Sequence, residues 1–178
     1  MEKLLKIPYK VFNDWDLLQQ FLERRGNPRY EIVGDVNLDG KKDIIDLGNL
    51  VRVYGELVLY RSTIQSLGHL EYVGGDMDLR WSSIESLGNL EYVGGGLDLD
   101  FAPIKSFGNL VRVDGYLKLF NSPIQSVGRL EYVGGDLILS DTPIKSLGNL
   151  EYVNGNIWLK RNHQIPEEQL TKFKFKYI

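Results

Sequence analysis

A repeat of twenty residues constrains the fold of this chain more than any other feature of its sequence. The segment that begins at Leu87 reads Leu-Gly-Asn-Leu-Glu-Tyr-Val-Gly-Gly, and closely similar segments begin at intervals of twenty residues from position 47 to position 147. A fixed period of about 20 to 50 residues marks an array in which each structural unit packs against its neighbours. The sequence therefore predicts a solenoid of stacked coils.

Within each coil, apolar residues occupy fixed positions. If the opening residue is position 1, then positions 1, 4, 7, 11, 13 and 18 are almost always aliphatic. The Leu-x-Leu pattern at positions 11 and 13 has the two-residue period of a short strand with one buried face. Twenty residues leave no room for a long helix after this strand and its two corners. We therefore expect a 3₁₀ turn or a second short strand on the other side of the coil.

Glycine and proline mark the predicted corners. Position 9 is glycine in every coil, and position 8 is mostly Gly, Asp or Asn, the residues that best tolerate a left-handed backbone. We expect the chain to turn through left-handed residues there. A second corner is expected after the strand, where Pro103, Pro123 and Pro143 each precede a buried isoleucine.

Two further columns recur from coil to coil. Position 3 is usually asparagine, whose carboxamide can bond to backbone groups of the neighbouring coil, and His69 replaces it in one coil. Position 6 is usually tyrosine, and stacked rings stabilise neighbouring coils. We interpret both columns as scaffold.

The two ends of the chain are predicted to cap a single structural domain. The predicted boundaries are 1–29 for the N-terminal cap, 30–165 for a solenoid of six to seven coils, and 166–178 for the C-terminal cap. A helix is expected at about 14–25, because Asn13 or Asp14 can cap it. Its apolar stripe comprises Trp15, Leu18 and Leu22. At the other end, lysines and aromatic residues alternate from Lys172 to Tyr177, which predicts a strand.

An acidic segment at the start of the solenoid has the spacing of an EF-hand or dockerin calcium loop, with a glycine turn at Gly40. The residues at its ligand positions are Asp35, Asn37, Asp39, Asp43 and Asp46. The alternative is a degenerate first coil with one residue deleted at the glycine turn, so that Val33, Val36 and Leu38 take positions 7, 11 and 13. We favour the coil and no metal, because Lys42 stands where the calcium loop has an aliphatic residue.

The motif Leu-x-x-Leu-x-x-Val-x-Gly-x-Leu-x-Leu-x-x-[Ser/Thr]-x-Ile, over about 30–165, resembles a short leucine-rich repeat. Its Val-x-Gly-x-Leu-x-Leu part is similar to the L domains of receptor ectodomains, and Ser-Leu-Gly-Asn-Leu-Glu-Tyr-Val-Gly-Gly resembles repeats of bacterial and large-phage proteins. The pattern departs from the leucine-rich repeat at position 16, where asparagine stands only at Asn162. The resemblance implies a mainly β, parallel leucine-rich-repeat solenoid that serves as a protein-binding scaffold and not as an enzyme.

Function on a solenoid is expected on residues that vary between coils. Positions 10, 12, 14 and 15 flank the buried leucines and should point outward. They combine aromatic rings with charges, which is typical of binding hot spots. The predicted partner-binding residues are Asp76, Asp78, Arg80, Trp81, Asp98, Asp100, Phe101, Tyr116, Lys118, Phe120, Ile138 and Trp158.

Two acidic residues of this set share one column. Asp78 and Asp98 should lie about 4.8 Å apart, the spacing of neighbouring strands. Like charges at that distance repel unless Arg80, a cation or a basic partner neutralises them. We favour a basic protein partner. A bound divalent cation and a carboxylate pair for hydrolysis are the alternatives.

Composition narrows the function further. The net charge of −3 gives no general attraction to nucleic acid or to an anionic membrane, and the absence of cysteine excludes disulfides and thiol chemistry. The N-terminus lacks a secretory signal pattern, so we expect a cytoplasmic protein. We also expect no cofactor. The favoured function is a protein–protein interaction module for a partner with a basic or mixed surface, by analogy a bacterial or phage protein that blocks a host or defence protein. The alternatives are a calcium-dependent docking or adhesion module and a carbohydrate-active enzyme with Asp78 and Asp98.

Overall fold

The structure is a computed structural model that describes residues 4–8 and 14–177. In chain order its elements are β1 (Leu5–Pro8), α1 (Trp15–Glu23), β2 (Tyr30–Val33), β3 (Val36–Asn37), β4 (Leu50–Val53), β5 (Leu57–Val58), β6 (Tyr72–Val73), β7 (Met77–Asp78), β8 (Tyr92–Val93), β9 (Leu97–Asp98), β10 (Arg112–Val113), β11 (Leu117–Lys118), β12 (Tyr132–Val133), β13 (Leu137–Ile138), β14 (Tyr152–Val153), β15 (Ile157–Leu159), α2 (Glu167–Leu170) and β16 (Phe175–Tyr177).

The strands form two parallel sheets of eight strands each. The Tyr–Val sheet has the order β1-β2-β4-β6-β8-β10-β12-β14, and the Leu-x-Leu sheet has the order β16-β15-β13-β11-β9-β7-β5-β3. Each coil contributes one short strand to each sheet, and equivalent residues of successive coils pair, as Tyr72 does with Tyr92 and Met77 with Leu97. The chain is therefore a mainly β, parallel solenoid of about seven turns, which confirms the predicted fold class.

The aliphatic positions of the repeat build one continuous core inside the coils. In the coil that begins at Leu87, the side chains of Leu90, Val93, Leu97 and Leu99 are fully buried. Burial of one such side chain contributes about 1.5–3 kcal/mol. Because the same columns are filled in each coil, the core needs no long-range contacts beyond the next coil.

The physical reason predicted for the first corner was wrong. From Gly55 to Gly155, no glycine at position 8 or 9 has a positive φ. These glycines are needed because successive coils approach closely: a Cβ on Gly94 would lie 2.3 Å from the carbonyl oxygen of Gly74. The left-handed residues lie instead at position 2, from Gly48 to Gly148, and at position 15.

The acidic segment that resembles a calcium loop, residues 35–46, belongs to the first coil. Val36 pairs with Leu57, and Leu38 is buried, as the coil interpretation predicts. One detail of that prediction was wrong: Ile32, and not Val33, takes the inward position 7, where it pairs with Val53. The register shifts between Tyr30 and Glu31, so the missing residue lies before the strand's inward position and not at the glycine turn.

Helix α1 lies within the predicted range of 14–25. Asp14 is its N-cap, and the carboxylate accepts the N–H groups of Asp16 and Leu17 at 2.9 and 3.3 Å. Its buried residues are Trp15, Leu18 and Leu22. Asn13, the other predicted cap, lies outside the described residues. At the C-terminal end, β16 adds a parallel strand to the Leu-x-Leu sheet beside β15.

The predicted asparagine column does bond between coils. The carboxamide of Asn89 donates to the carbonyl oxygen of Gly68 at 3.1 Å, and Asn49 donates to Asn27 at 2.6 Å. His69 occupies the same column, with its Nδ1 atom 3.1 Å from the carbonyl oxygen of Gly48. His69 therefore has a structural role, because it contacts the neighbouring coil as the asparagines do.

Candidate binding face

The outward positions 10, 12, 14 and 15 of the Leu-x-Leu sheet form one surface, called here the binding face. Position 12 makes a continuous column, because successive strands pair Asp78 with Asp98, Asp98 with Lys118, Lys118 with Ile138, and Ile138 with Trp158. Most of the predicted partner-binding residues belong to the three central coils. Ile138 and Trp158 belong to the next two coils and extend the column toward the C-terminus.

Three aromatic side chains of the central coils form a cluster that we call the aromatic ridge: Trp81, Phe101 and Phe120. The rings of Trp81 and Phe101 are stacked, with centroids 4.2 Å apart and planes at 10°. Phe120 meets Phe101 edge to face, with centroids 5.2 Å apart. Trp81 remains 52% exposed. The ridge thus offers a rigid aromatic surface to solvent.

Two of the three ridge residues, Trp81 and Phe101, have an unfavourable backbone conformation. Position 15 is left-handed in the central coils, with φ of +58° at Trp81 and +61° at Phe101. This left-handed conformation costs roughly 1–2 kcal/mol of stability for residues other than glycine, asparagine and aspartate. The conformation belongs to the repeat, because position 15 is also left-handed at Arg61, Asn121 and Asp141. Gly40 fills the same position in the first coil. The fold therefore accepts residues that cost less, and nothing in the coil demands an aromatic ring.

The charged residues beside the ridge neutralise one another. Arg80 binds Asp78 through two atoms, with Nε 3.0 Å from Oδ1 and Nη2 2.6 Å from Oδ2. The carboxylate of Asp98 lies between two cations, 3.8 Å from Arg80 Nε and 3.5 Å from Lys118 Nζ. The sequence left three ways to neutralise these carboxylates: Arg80, a bound cation or a basic partner. The structure shows the first, with Lys118 as a second cation from the same chain.

Asp98 differs from its predicted placement. It was expected to point outward, but the residue is only 6% exposed. Lys118 and Arg80 cover it, and its Oδ1 atom accepts the N–H of Asp100 at 3.2 Å. Asp98 therefore acts as a buried support for the two cations and offers little surface to a partner.

Asp100 lies between this charge cluster and the ridge. Its Oδ1 atom accepts the N–H of Phe120 at 2.7 Å. Burial, followed by the charge of Asp98, raises the pKa of the Asp100 carboxyl. Its negative charge is thus held at a cost to the folded state.

Position 10 ties neighbouring coils together through carboxylates. Asp76 accepts the N–H of Gly96 at 2.6 Å, and Asp136 accepts the N–H of Asn156 at 2.7 Å. Asp136 also accepts the indole N–H of Trp158 at 3.0 Å, and these hydrogen bonds lower its pKa. Trp158 is therefore held by a side-chain hydrogen bond, whereas Trp81 is held by stacking on Phe101.

The residues of the calcium-loop alternative are spread over the first coil. Asp35 accepts the N–H of Glu56 at 2.9 Å, Asn37 accepts the N–H of Asp39 at 3.0 Å, and Asp46 accepts the N–H of Gly48. Within residues 4–8 and 14–177, no group of three or more His, Asp or Glu side chains is arranged to hold a metal ion.

The predicted set omitted two residues that belong to the same surface. Tyr60 contacts the charge cluster, since the guanidinium of Arg80 lies 5.1 Å from its ring centroid. Glu56 lines a cleft together with Asp76 and Asp78. Both occupy outward positions of their coil, so the repeat already places them on this face, although the predicted set did not include them.

The fold and its repeating coil define a class: the chain is a repeat protein of the parallel β-solenoid type. Comparison with protein-family models, with curated proteins and with solved structures found no match to this chain. No helix in the described part of the chain is long and apolar enough to cross a membrane.

Proposed function

We propose that the chain is a non-enzymatic protein–protein interaction module of leucine-rich-repeat type, which binds a protein partner through the aromatic ridge. The observation that carries this proposal is the combination found at Trp81, which is half exposed, stacked on Phe101 and held in a left-handed backbone. A half-exposed aromatic ring on a strained backbone is typical of a functional site.

The geometry of the ridge supports this role. Exposed aromatic residues next to charged ones dominate the energy of many protein interfaces. The ridge spans three coils, which corresponds to about 10 Å at the spacing of parallel strands. Because stacking and the short backbone segments hold the rings, little conformational entropy is lost when a partner binds.

The charges next to the ridge favour a partner with a basic or mixed surface. Arg80 and Lys118 are already paired with Asp78 and Asp98, whereas Asp76 is exposed. By analogy with the bacterial and large-phage repeats that the sequence resembles, we propose a cytoplasmic protein that binds and blocks a host or defence protein.

The same contacts argue against the hydrolase alternative. Glycoside hydrolysis needs two carboxyl groups that are free to contact the substrate. Asp78 is paired with Arg80, and Asp98 lies near both Arg80 and Lys118. Neither carboxylate is therefore free in this way.

The proposal is tested by partner capture with matched variants. Immobilised wild-type chain is compared with Trp81→Gly and with Tyr152→Ser, a control that removes an exposed ring from the Tyr–Val sheet. We expect a specific partner from lysate of the source cells and their host to be retained by the wild type and the control and lost with Trp81→Gly. Equal recovery on all three chains would show that the ridge is not the binding site.

A further inference from the structure

A cleft of about 250 Å³ lies on the binding face. Its lining includes Glu56, Asp76 and Asp78 together with the side chain of Tyr116. The ring of Tyr116 lies over Gly96, since a Cβ on that glycine would come within 2.4 Å of the ring carbons. The cleft thus has an aromatic wall. The ring of Tyr116 can take this place because Gly96 has no side chain.

The cations of the cleft do not balance its acids. Four carboxylates line it, and two cations, Arg80 and Lys118, lie among them, which gives a net charge of −2. Arg80 is used by Asp78, and both cations lie beside the buried Asp98. The surplus negative charge therefore belongs to the remaining two carboxylates.

These two carboxylates have free acceptor atoms. Asp76 uses Oδ1 to accept the N–H of Gly96, and its Oδ2 has no hydrogen bond or ion pair within the described residues. The carboxylate of Glu56 is equally without a partner in that part of the chain. Burial and the nearby charge of Asp76 raise the pKa of Tyr116, so the cleft wall keeps its hydroxyl proton.

We propose that this cleft receives the guanidinium group of an arginine from the protein that docks on the aromatic ridge. The inference rests on the proposed function and names the chemistry of its partner: an arginine placed next to an apolar residue. Charge complementarity is the reason, because one guanidinium offsets half of the surplus negative charge.

The molecule itself contains guanidinium groups that bind to a carboxylate beside an aromatic ring. Arg80 forms a planar two-point pair with Asp78 in the same cleft. On the other sheet, Arg112 lies 3.8 Å from the ring centroid of Tyr132 and bonds to Asp114 at 2.6 Å, so a guanidinium and an aromatic–acidic pair fit well. Arginine provides a rigid fork of donors and is more weakly hydrated than lysine.

The test uses Nα-acetyl-arginine amide as the probe and the full isotope-labelled chain as the receptor. Nα-acetyl-citrulline amide is the control ligand, because it has the same shape without the charge. In amide NMR titrations we expect saturable shifts at Gly96 and Tyr116 with the arginine compound, and none with the citrulline compound.

Variants locate the binding to the cleft. The double variant Glu56→Gln with Asp76→Asn keeps an oxygen for the Gly96 N–H, and we expect it to weaken binding by about tenfold, since two charge-assisted hydrogen bonds are lost. Asp141→Asn removes one acidic charge elsewhere on the binding face and should leave the affinity unchanged.

Each failure has its own meaning. Equal shifts with citrulline, or equal affinity in the double variant and in Asp141→Asn, would overturn the cleft proposal. Trp81→Gly should still bind the arginine compound, because Trp81 does not line the cleft. If the arginine compound does not bind while Trp81→Gly still loses the partner, the cleft proposal is wrong and the ridge remains the docking surface.

Discussion

The two outward-facing aromatic rows of this solenoid differ in how much stability their backbone conformation costs. On the Tyr–Val sheet, Tyr72 stacks on Tyr92 and Tyr132 on Tyr152, each pair with centroids 5.0 Å apart. These tyrosines extend from regular strands. The aromatic ridge stacks equally well, but Trp81 and Phe101 require a left-handed backbone. Stacking alone therefore does not distinguish the two rows, whereas the left-handed backbone at Trp81 and Phe101 does.

The tyrosine row is also completed by its own chain. Tyr92 donates its hydroxyl to Asp114 at 2.5 Å, a hydrogen bond that raises the pKa of Tyr92 to about 12. Arg112 replaces tyrosine in that coil and covers the ring of Tyr132. The row is thus satisfied internally, which is what a scaffold needs, whereas the ring of Trp81 stacks on Phe101 and stays 52% exposed.

The largest expected effect concerns the frame beneath the tyrosine row. Gly94→Ala places a Cβ 2.3 Å from the carbonyl oxygen of Gly74, so the coils must separate. We expect a loss of about 2–4 kcal/mol in the free energy of unfolding, measured by urea denaturation. Gly88→Ala is the control: its φ is +56° but its Cβ would meet open space, so about 1 kcal/mol should be lost. Equal losses would show that close packing of the coils is not the reason for the glycine.

The next effect should come from the tyrosine row itself. Tyr92→Ala removes a ring that stacks on Tyr72 and the hydrogen bond to Asp114. We expect a loss of about 2 kcal/mol in the free energy of unfolding, from the aromatic contact, the hydrogen bond and buried area together. Tyr92→Phe should lose only the part due to the hydroxyl. A neutral Tyr92→Ala would contradict the scaffold role.

The ridge should respond differently. Trp81→Gly loses the stack on Phe101, worth about 0.5–1.5 kcal/mol, but relieves a left-handed backbone of similar cost. We expect stability within about 1 kcal/mol of the wild type in the same urea experiment, with partner capture abolished. A loss as large as that of Tyr92→Ala would mean that the ridge is part of the scaffold after all.

The smallest expected effects concern pH and have opposite signs for two carboxylates. The raised pKa of Asp100 means that the folded state favours the proton, so its charge costs stability once the pH exceeds the ordinary value. The lowered pKa of Asp136 means that its charge contributes stability, which is lost as the pH falls through the folded value.

These signs predict how two asparagine variants unfold. At pH 7 we expect Asp100→Asn to raise the melting temperature slightly and Asp136→Asn to lower it, by calorimetry. As the pH falls, the difference for Asp100→Asn should disappear first, because the pKa of Asp100 is raised, and the difference for Asp136→Asn should persist to lower pH, because the pKa of Asp136 is lowered. The same sign for both variants at pH 7 would contradict the assigned causes.

The places of the ridge residues were predictable because each coil repeats the last. Trp81, Phe101 and Phe120 follow from their column positions, since outward residues of one strand stack on those of the next. The arrangement of charges was less accessible. Asp98 occupies an outward column and is nonetheless covered, because the long side chains of Arg80 and Lys118 fold over it, and a column pattern carries no information about how side chains bend.

The twenty-residue period alone determined the solenoid, its parallel pairing and the columns of its core, because residues one period apart must meet in a stacked coil. The tertiary structure decided which glycines turn and which allow close approach, as Gly94 and Gly48 show. It also decided that Trp81 and Phe101 adopt a left-handed backbone and that a cleft opens beside Tyr116. These features depend on distances between neighbouring coils, which arise only when the coils pack.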